Sequence, residues 1–224
     1  MDDLLDAIEI ETARAPRASV VWLHGLGADG HDFVPIVAEL SLPPALAVRF
    51  VFPHAPMRPV TINGGAVMRA WYDVTGEAGT RREVETGVRE SQRRIEALIA
   101  RERTRGTAPE HIVLAGFSQG GAMALHTGLR HPERLGGIMA LSCFLPLGDA
   151  VAEEASPANR ETPIFMAHGT RDPMIPPARG RQARDLLAAL GYRIAWREYS
   201  MAHAVCTEEI DDIARWLAAT LAAA

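Results

Sequence analysis

The stretch His111-Ile112-Val113-Leu114-Ala115-Gly116-Phe117-Ser118-Gln119-Gly120-Gly121-Ala122-Met123-Ala124-Leu125 carries the decisive reading of this chain. A short apolar run reads as a buried strand, and the small apolar residues beyond Gly121 read as the start of a helix. Between them, Gly116-Phe117-Ser118-Gln119-Gly120 matches G-x-S-x-G. In that pattern the glycines let strand and helix meet in a turn too sharp for larger side chains, which leaves the serine exposed as a nucleophile. The five-residue match alone is weak, since glycine and serine frequencies produce it by chance in about 5–10% of chains this long. Strand before and helix after make it specific, and a helix N-terminus at Ser118 favours an alkoxide or oxyanion.

Working outward, apolar runs at 19–24, 47–53, 111–117, 136–142, 163–168 and 192–199 predict strands. Segments at 32–40, 82–104, 119–130, 178–190 and 207–222 carry apolar residues at helical spacing, as Ile210, Ile213, Ala214 and Leu217 do in the last. Glu208 and Glu209 suit the first turn of that helix, where the dipole favours negative charge. Strand and helix alternate, and most strands are apolar throughout, so the expected fold class is α/β. It is a mostly parallel central sheet with helices on both faces, one domain over 1–224. The segment 55–81 breaks the rhythm with Pro and paired Gly before Trp71-Tyr72-Asp73. It reads either as a lid over the active site or as a surface hairpin.

A serine nucleophile needs an imidazole base, and the base needs a carboxylate. In the α/β-hydrolase arrangement the order is Ser, then Asp or Glu, then His. Of the histidines after Ser118, His126 lies inside the following helix and His131 at its end, while His168 closes a strand. His203 lies in the loop between the last strand and the last helix, so topology selects it as base. Asp172, directly after the next-to-last strand, is the preferred acid, with Asp149 and Glu153 as competitors. His168 then anchors the turn by a hydrogen bond. The oxyanion hole needs two backbone N–H groups: one from Gln119, after the nucleophile, and one from Leu26 in His24-Gly25-Leu26-Gly27. A metal set of His24, Asp29, His31 and Asp32 is a weaker rival, since the flanking glycines serve a backbone approach.

The net charge of -5 and pI near 5.9 exclude a nucleic-acid partner, which calls for a concentrated basic face. All 23 basic residues are arginine, which suggests a GC-rich bacterial source. Met1-Asp2-Asp3 lacks the basic start and apolar stretch of a secretory signal, no apolar run is long enough to span a bilayer, and the chain reads as cytoplasmic. Cys143 and Cys206 lack metal-ligand spacing and read as two reduced core thiols rather than a disulfide.

These residues together resemble a known family. The segments Leu23-His24-Gly25-Leu26-Gly27-Ala28-Asp29-Gly30, Asn63-Gly64-Gly65, Met68-Arg69-Ala70-Trp71-Tyr72-Asp73, Gly116 to Gly121 and His168-Gly169-Thr170-Arg171-Asp172 are similar to those of bacterial carboxylesterases in the phospholipase/carboxylesterase family, relatives of the acyl-protein thioesterases. The resemblance runs nearly end to end. It implies an α/β-hydrolase without a large cap domain, no cofactor or metal, and dimers as a common state. It implies hydrolysis of short to medium acyl esters through Ser118, His203 and Asp172, with acyl-protein thioesterase or lysophospholipase activity as the alternative. A distant alternative is a binding protein that keeps the fold without chemistry. The resemblance also suggests Leu26 and Gln119 for the oxyanion hole and Trp71, Met68 and Met174 for the acyl site. The chain departs from the pattern at Ala202, where glycine commonly precedes the base histidine.

Overall fold

The computed structural model describes residues 4–76 and 82–222. The central sheet has seven strands: β1 (Ala7–Glu11), β2 (Ala18–Leu23), β3 (Val48–Pro53), β4 (Ile112–Phe117), β5 (Gly137–Leu141), β6 (Ile164–Gly169) and β7 (Ile194–Tyr199). Their order across the sheet is β1-β3-β2-β4-β5-β6-β7. All neighbours are parallel except β1, which runs antiparallel to β3 with Ile8 opposite Phe52 and Ile10 opposite Phe50. The sheet class is as the sequence predicts. The strand β1 is an addition: its Ala-Ile-Glu-Ile-Glu alternates on a half-exposed edge, so it lacks the unbroken apolar run that marks the inner strands.

Strand side chains alternate between two apolar layers. Val21, Leu23, Leu114, Ile138, Ala140 and Met166 point to the side covered by helices α1 (Glu85–Thr104), α2 (Gln119–Arg130) and α3 (Pro177–Ala189). Val20, Trp22, Val113, Met139, Leu141 and Phe165 point to the side covered by α4 (Thr207–Ala222). Each such Val, Leu or Ile, fully withdrawn from water, contributes about 1.5–3 kcal/mol before chain entropy is counted. Helix α1 buries Val88, Ile95, Leu98 and Ile99, a spacing that keeps one face on the sheet. Almost every residue of α2 is buried, which is why its sequence is small and apolar on all sides.

Three local expectations are corrected. The segment 32–40 forms only a single helical turn, Ile36–Glu39, because the residues before it close consecutive turns. Glu208 and Glu209 both lie in the first turn of α4 as expected, but Glu209 is fully buried, and burial pushes its carboxyl up to about 8, against the negative charge expected there. Both cysteines are free, yet only Cys143 lies in the core, Cys206 being half-buried at the α4 entry.

The excursion after β3 is a hairpin, Met57–Val60 antiparallel to Ala66–Arg69, turning at Thr61–Asn63 and two left-handed glycines, Gly64 and Gly65. Asp73 ties its tip back by accepting from the Thr61 N–H at 2.8 Å and the Thr61 hydroxyl at 2.6 Å. Val74–Thr75 then pairs with Arg82–Glu83, and the end of the predicted excursion, 77–81, lies outside the described residues.

Candidate active site

The turn from β4 into α2 is as tight as the motif requires. A side chain at Gly120 would begin 2.1 Å from the Leu23 carbonyl oxygen, and one at Gly116 would begin 2.3 Å from the Gly120 carbonyl carbon. Ser118, at the head of α2, takes φ 54° and ψ -120°, a conformation L-residues rarely hold. Its N–H donates to the Leu141 carbonyl at 2.8 Å, which fixes the turn to the end of β5. The serine side chain is half-exposed at the carboxyl edge of the sheet, where open α/β folds place their ligands.

His203 reaches the same edge from the loop after β7. Its Nδ1 lies 2.7 Å from Asp172 Oδ2, and the Asp172 carboxylate is fully buried. The other oxygen, Oδ1, accepts from the Met174 and Ile175 N–H groups at 2.8 and 2.9 Å, so the acid is held by its own loop. Asp149 and Glu153, the competing acids, are exposed. Because a carboxylate only accepts, Nδ1 carries the proton and Nε2 is left as the basic nitrogen. Among the described residues, Ser118 Oγ makes no hydrogen bond to His203; the link between them is Phe117, whose ring centroid lies 4.7 Å from that of His203. In ligand-free sites this contact is often long and tightens on binding. His168 anchors the acid loop by donating from Nε2 to the Ile175 carbonyl at 2.9 Å, and burial holds its pKa below the usual histidine value. His126 and His131 are buried against α1, on Gln92 Oε1 at 3.0 Å and Glu96 Oε2 at 2.5 Å. Burial lowers the His126 pKa to about 3.

The loop after β2 brings Leu26 beside the nucleophile turn: a side chain at Gly25 would sit 3.5 Å from Ser118 Cβ. The next N–H, Gly27, donates to the Arg69 carbonyl at 2.9 Å, which bonds this loop to the base of the hairpin. Among the described residues the backbone N–H groups of Leu26 and Gln119 take no acceptor within the protein. Both groups belong to loops that meet at the Ser118 turn, the disposition an oxyanion hole would require. The rival metal set does not assemble. His24 donates from Nδ1 to the Gly25 carbonyl at 2.7 Å and accepts from the Ala55 N–H at Nε2 at 3.0 Å. Both ring nitrogens are used, and burial lowers its pKa to about 4, so it serves as a neutral brace.

Two of the residues expected in the acyl site stand where a ligand could meet them. Met174 is exposed on the acid loop, and Met68 Sδ lies 3.5 Å from where a Gly27 side chain would begin. Trp71 does not. It is fully buried, its indole N–H donates to the His24 carbonyl at 2.9 Å, and its own carbonyl accepts from the Ser91 hydroxyl. An indole N–H finds a partner when buried, and here that partner turns the ring into a strut rather than a wall.

The residue whose importance sequence reading missed is the Gln119 side chain. Its Oε1 accepts from the Trp71 N–H at 2.7 Å and its Nε2 donates to the Tyr72 carbonyl at 2.8 Å. The amide therefore clips the segment after the hairpin onto the first turn of α2. The partners are 48 and 47 residues away, so no local pattern announces them. Gln119→Ala should leave a buried N–H and a buried carbonyl without partners, costing about 2–4 kcal/mol. Thermal unfolding should fall accordingly, and limited proteolysis should open sites between residues 57 and 76. An unchanged melting temperature would refute the clip.

Comparison with known proteins agrees with this geometry. The profile of the phospholipase/carboxylesterase family matches residues 6–221. An acyl-protein thioesterase 1 of Gibberella zeae is 40% identical over 209 residues, covering 89% of each chain. The solved structure of SOBER1 from Arabidopsis thaliana has a TM-score of 0.85 at 33% identity, covering 92% of this chain and 99% of its own. The structure of esterase PE8 has a TM-score of 0.83 at 27% identity, covering 97% and 100%. The fungal and plant origin of the first two gives no support to the bacterial branch that the resemblance named, nor to the bacterial source suggested by the arginine-only composition. Among the described residues no helix is long and apolar enough to cross a membrane. By sequence and by fold, the chain belongs to the phospholipase/carboxylesterase family of α/β-hydrolases, enzymes that hydrolyse esters and thioesters.

Proposed function

We propose that this chain is a serine thioesterase in which Ser118 is the nucleophile, His203 the general base and Asp172 the acid behind it. The observation that carries the reading is the buried Asp172 carboxylate bonded to His203 Nδ1 at 2.7 Å, on the same sheet edge as the Ser118 turn. His203 Nε2 takes the Ser118 proton as Oγ attacks the acyl carbonyl. The N–H groups of Leu26 and Gln119 receive the oxyanion. The thiol leaves with the proton from His203, and water then hydrolyses the acyl enzyme by the same steps in reverse order of partners. Relatives named acyl-protein thioesterase favour an S-acyl substrate over the short carboxylic esters that the sequence resemblance put first. The same apparatus hydrolyses O-esters, because acyl transfer to serine passes through the same tetrahedral intermediate.

The test pairs a hexanoyl thioester with the matching oxygen ester and adds a fluorophosphonate probe. The expected result is one label per chain, mapped to the peptide holding Ser118, and a higher kcat/KM for the thioester. Labelling elsewhere, or none in folded protein, would overturn the serine assignment. A higher kcat/KM for the oxygen ester would return the reading to carboxylesterase.

A further inference from the structure

The side chains around Ser118 divide according to the two faces of the sheet. Phe117, its ring tilted at 43° beside that of His203, packs against the α4 side. Cys143, Tyr72 and Phe144 pack against the side that carries α1 to α3. A side chain at Gly121, three residues after Ser118, would begin 3.1 Å from Cys143 Sγ, and Phe144 is the next residue after Cys143, packed on the same layer. His203 must hand its proton to the leaving group, which places the leaving group on the Phe117 side. The acyl chain is then directed to the other side, toward Phe144.

A cation stands at that end. The Arg179 guanidinium carbon lies 4.4 Å from the centre of the Phe144 ring. Arg179 is exposed, and among the described residues it forms no ion pair and no side-chain hydrogen bond. Among the described residues most other arginines are paired, as Arg89 and Arg130 are with Glu154 and Arg181 is with Glu198. Its charge also reaches inward: burial pushes the Tyr72 phenol well up, and Arg179 acts against that shift. The loop from Asp172 through Ile175 leads straight into the first turn of α3, so the cation rides on the segment that holds the acid. Stacking on an aromatic face holds a guanidinium in place without consuming its donors.

We propose that Arg179, held over Phe144, makes the acyl site selective for acyl groups that end in an anion, such as a half-ester or half-thioester of a dicarboxylic acid. This rests on the acyl-transfer reading of Ser118 above. A plain acyl chain would lie along Phe144 and leave the guanidinium in water, whereas a terminal carboxylate would take a forked pair of its N–H donors.

The experiment compares hexanoyl and adipoyl thioesters of one neutral thiol, so the leaving group and its proton transfer are identical. The wild type should prefer the adipoyl substrate, and Arg179→Gln should lower kcat/KM for it by about tenfold while changing the hexanoyl value less than about twofold. Arg179→Lys should keep part of the preference, and Arg179→Glu should reverse it. Added salt should erode the wild-type preference, a readout that needs no variant. A ratio that is equal in wild type and Arg179→Gln and indifferent to salt would overturn the proposal. Retained hydrolysis of both substrates by Ser118→Ala would instead overturn the acyl-transfer reading beneath it.

Discussion

Ser118→Ala is expected to lower kcat for any acyl substrate by on the order of 10⁵–10⁶-fold while the fold is kept. On the proposed assignment the loss is large because the serine, its base and its acid would act as one unit: without Oγ there is no acyl enzyme, and His203 would have nothing to deprotonate but water. Residual turnover would come from the free N–H groups of Leu26 and Gln119 acting on bound substrate. Stability should move the other way in a companion variant. Ser118 holds φ 54° with ψ -120°, a conformation that costs a non-glycine residue about 1–3 kcal/mol. Ser118→Gly should therefore be as inactive as Ser118→Ala and should melt higher, by roughly 1 kcal/mol in unfolding free energy. Steady-state kinetics and thermal melts of the two variants check both halves. Substantial activity in Ser118→Ala, or a lower melting point in Ser118→Gly, would contradict the strained-nucleophile account.

Gly120→Ala is expected to be severely destabilising, costing about 3–5 kcal/mol. The added methyl would begin 2.1 Å from the Leu23 carbonyl oxygen, 2.5 Å from its carbon and 2.6 Å from the His24 carbonyl oxygen. These are backbone atoms of β2 and of the loop that presents Leu26, so no side chain can swing aside. Relief requires α2 to lift from the sheet, which would shift Ser118, the Gln119 clip and the N–H groups proposed as oxyanion donors together. Denaturant unfolding should show the midpoint falling sharply, and any folded fraction should label poorly with a fluorophosphonate. By contrast, Gly64→Ala meets no atom within 4 Å, and its cost is limited to the strain of φ 67°. If both substitutions cost the same, close packing at the elbow would not be the cause.

The two variants bear on how much of the molecule its sequence makes legible. Gly116, Ser118 and Gly120 could be read at once because their spacing encodes a local event, a strand turning into a helix within five residues. The inner strands were legible for a similar reason, since burial on both faces leaves no polar positions in them. The edge strand β1 escaped because Glu9 and Glu11 alternate with its isoleucines, and only pairing with β3 makes those few residues a strand. The spacing over 32–40 suggests a longer helix than the turn at Ile36–Glu39 because its apolar residues serve the α4-side core from successive turns rather than from one helical face.

By itself the sequence determined the order of the parts: parallel strands with helices on both faces, a nucleophile turn after β4, a histidine loop after β7, and candidate acids after β5 and β6. Those are properties of neighbours in the chain, where periodicity and turn chemistry act over a few residues. The tertiary structure decided which acid pairs with His203, that Gln119 clips Trp71 and Tyr72, that Trp71 is a buried strut, and that Arg179 stands over Phe144. Each of these joins segments separated by many residues, and their meeting depends on how the loops at the carboxyl edge fold against one another. Local spacing holds no record of that contact; the packing of the two layers on the sheet creates it.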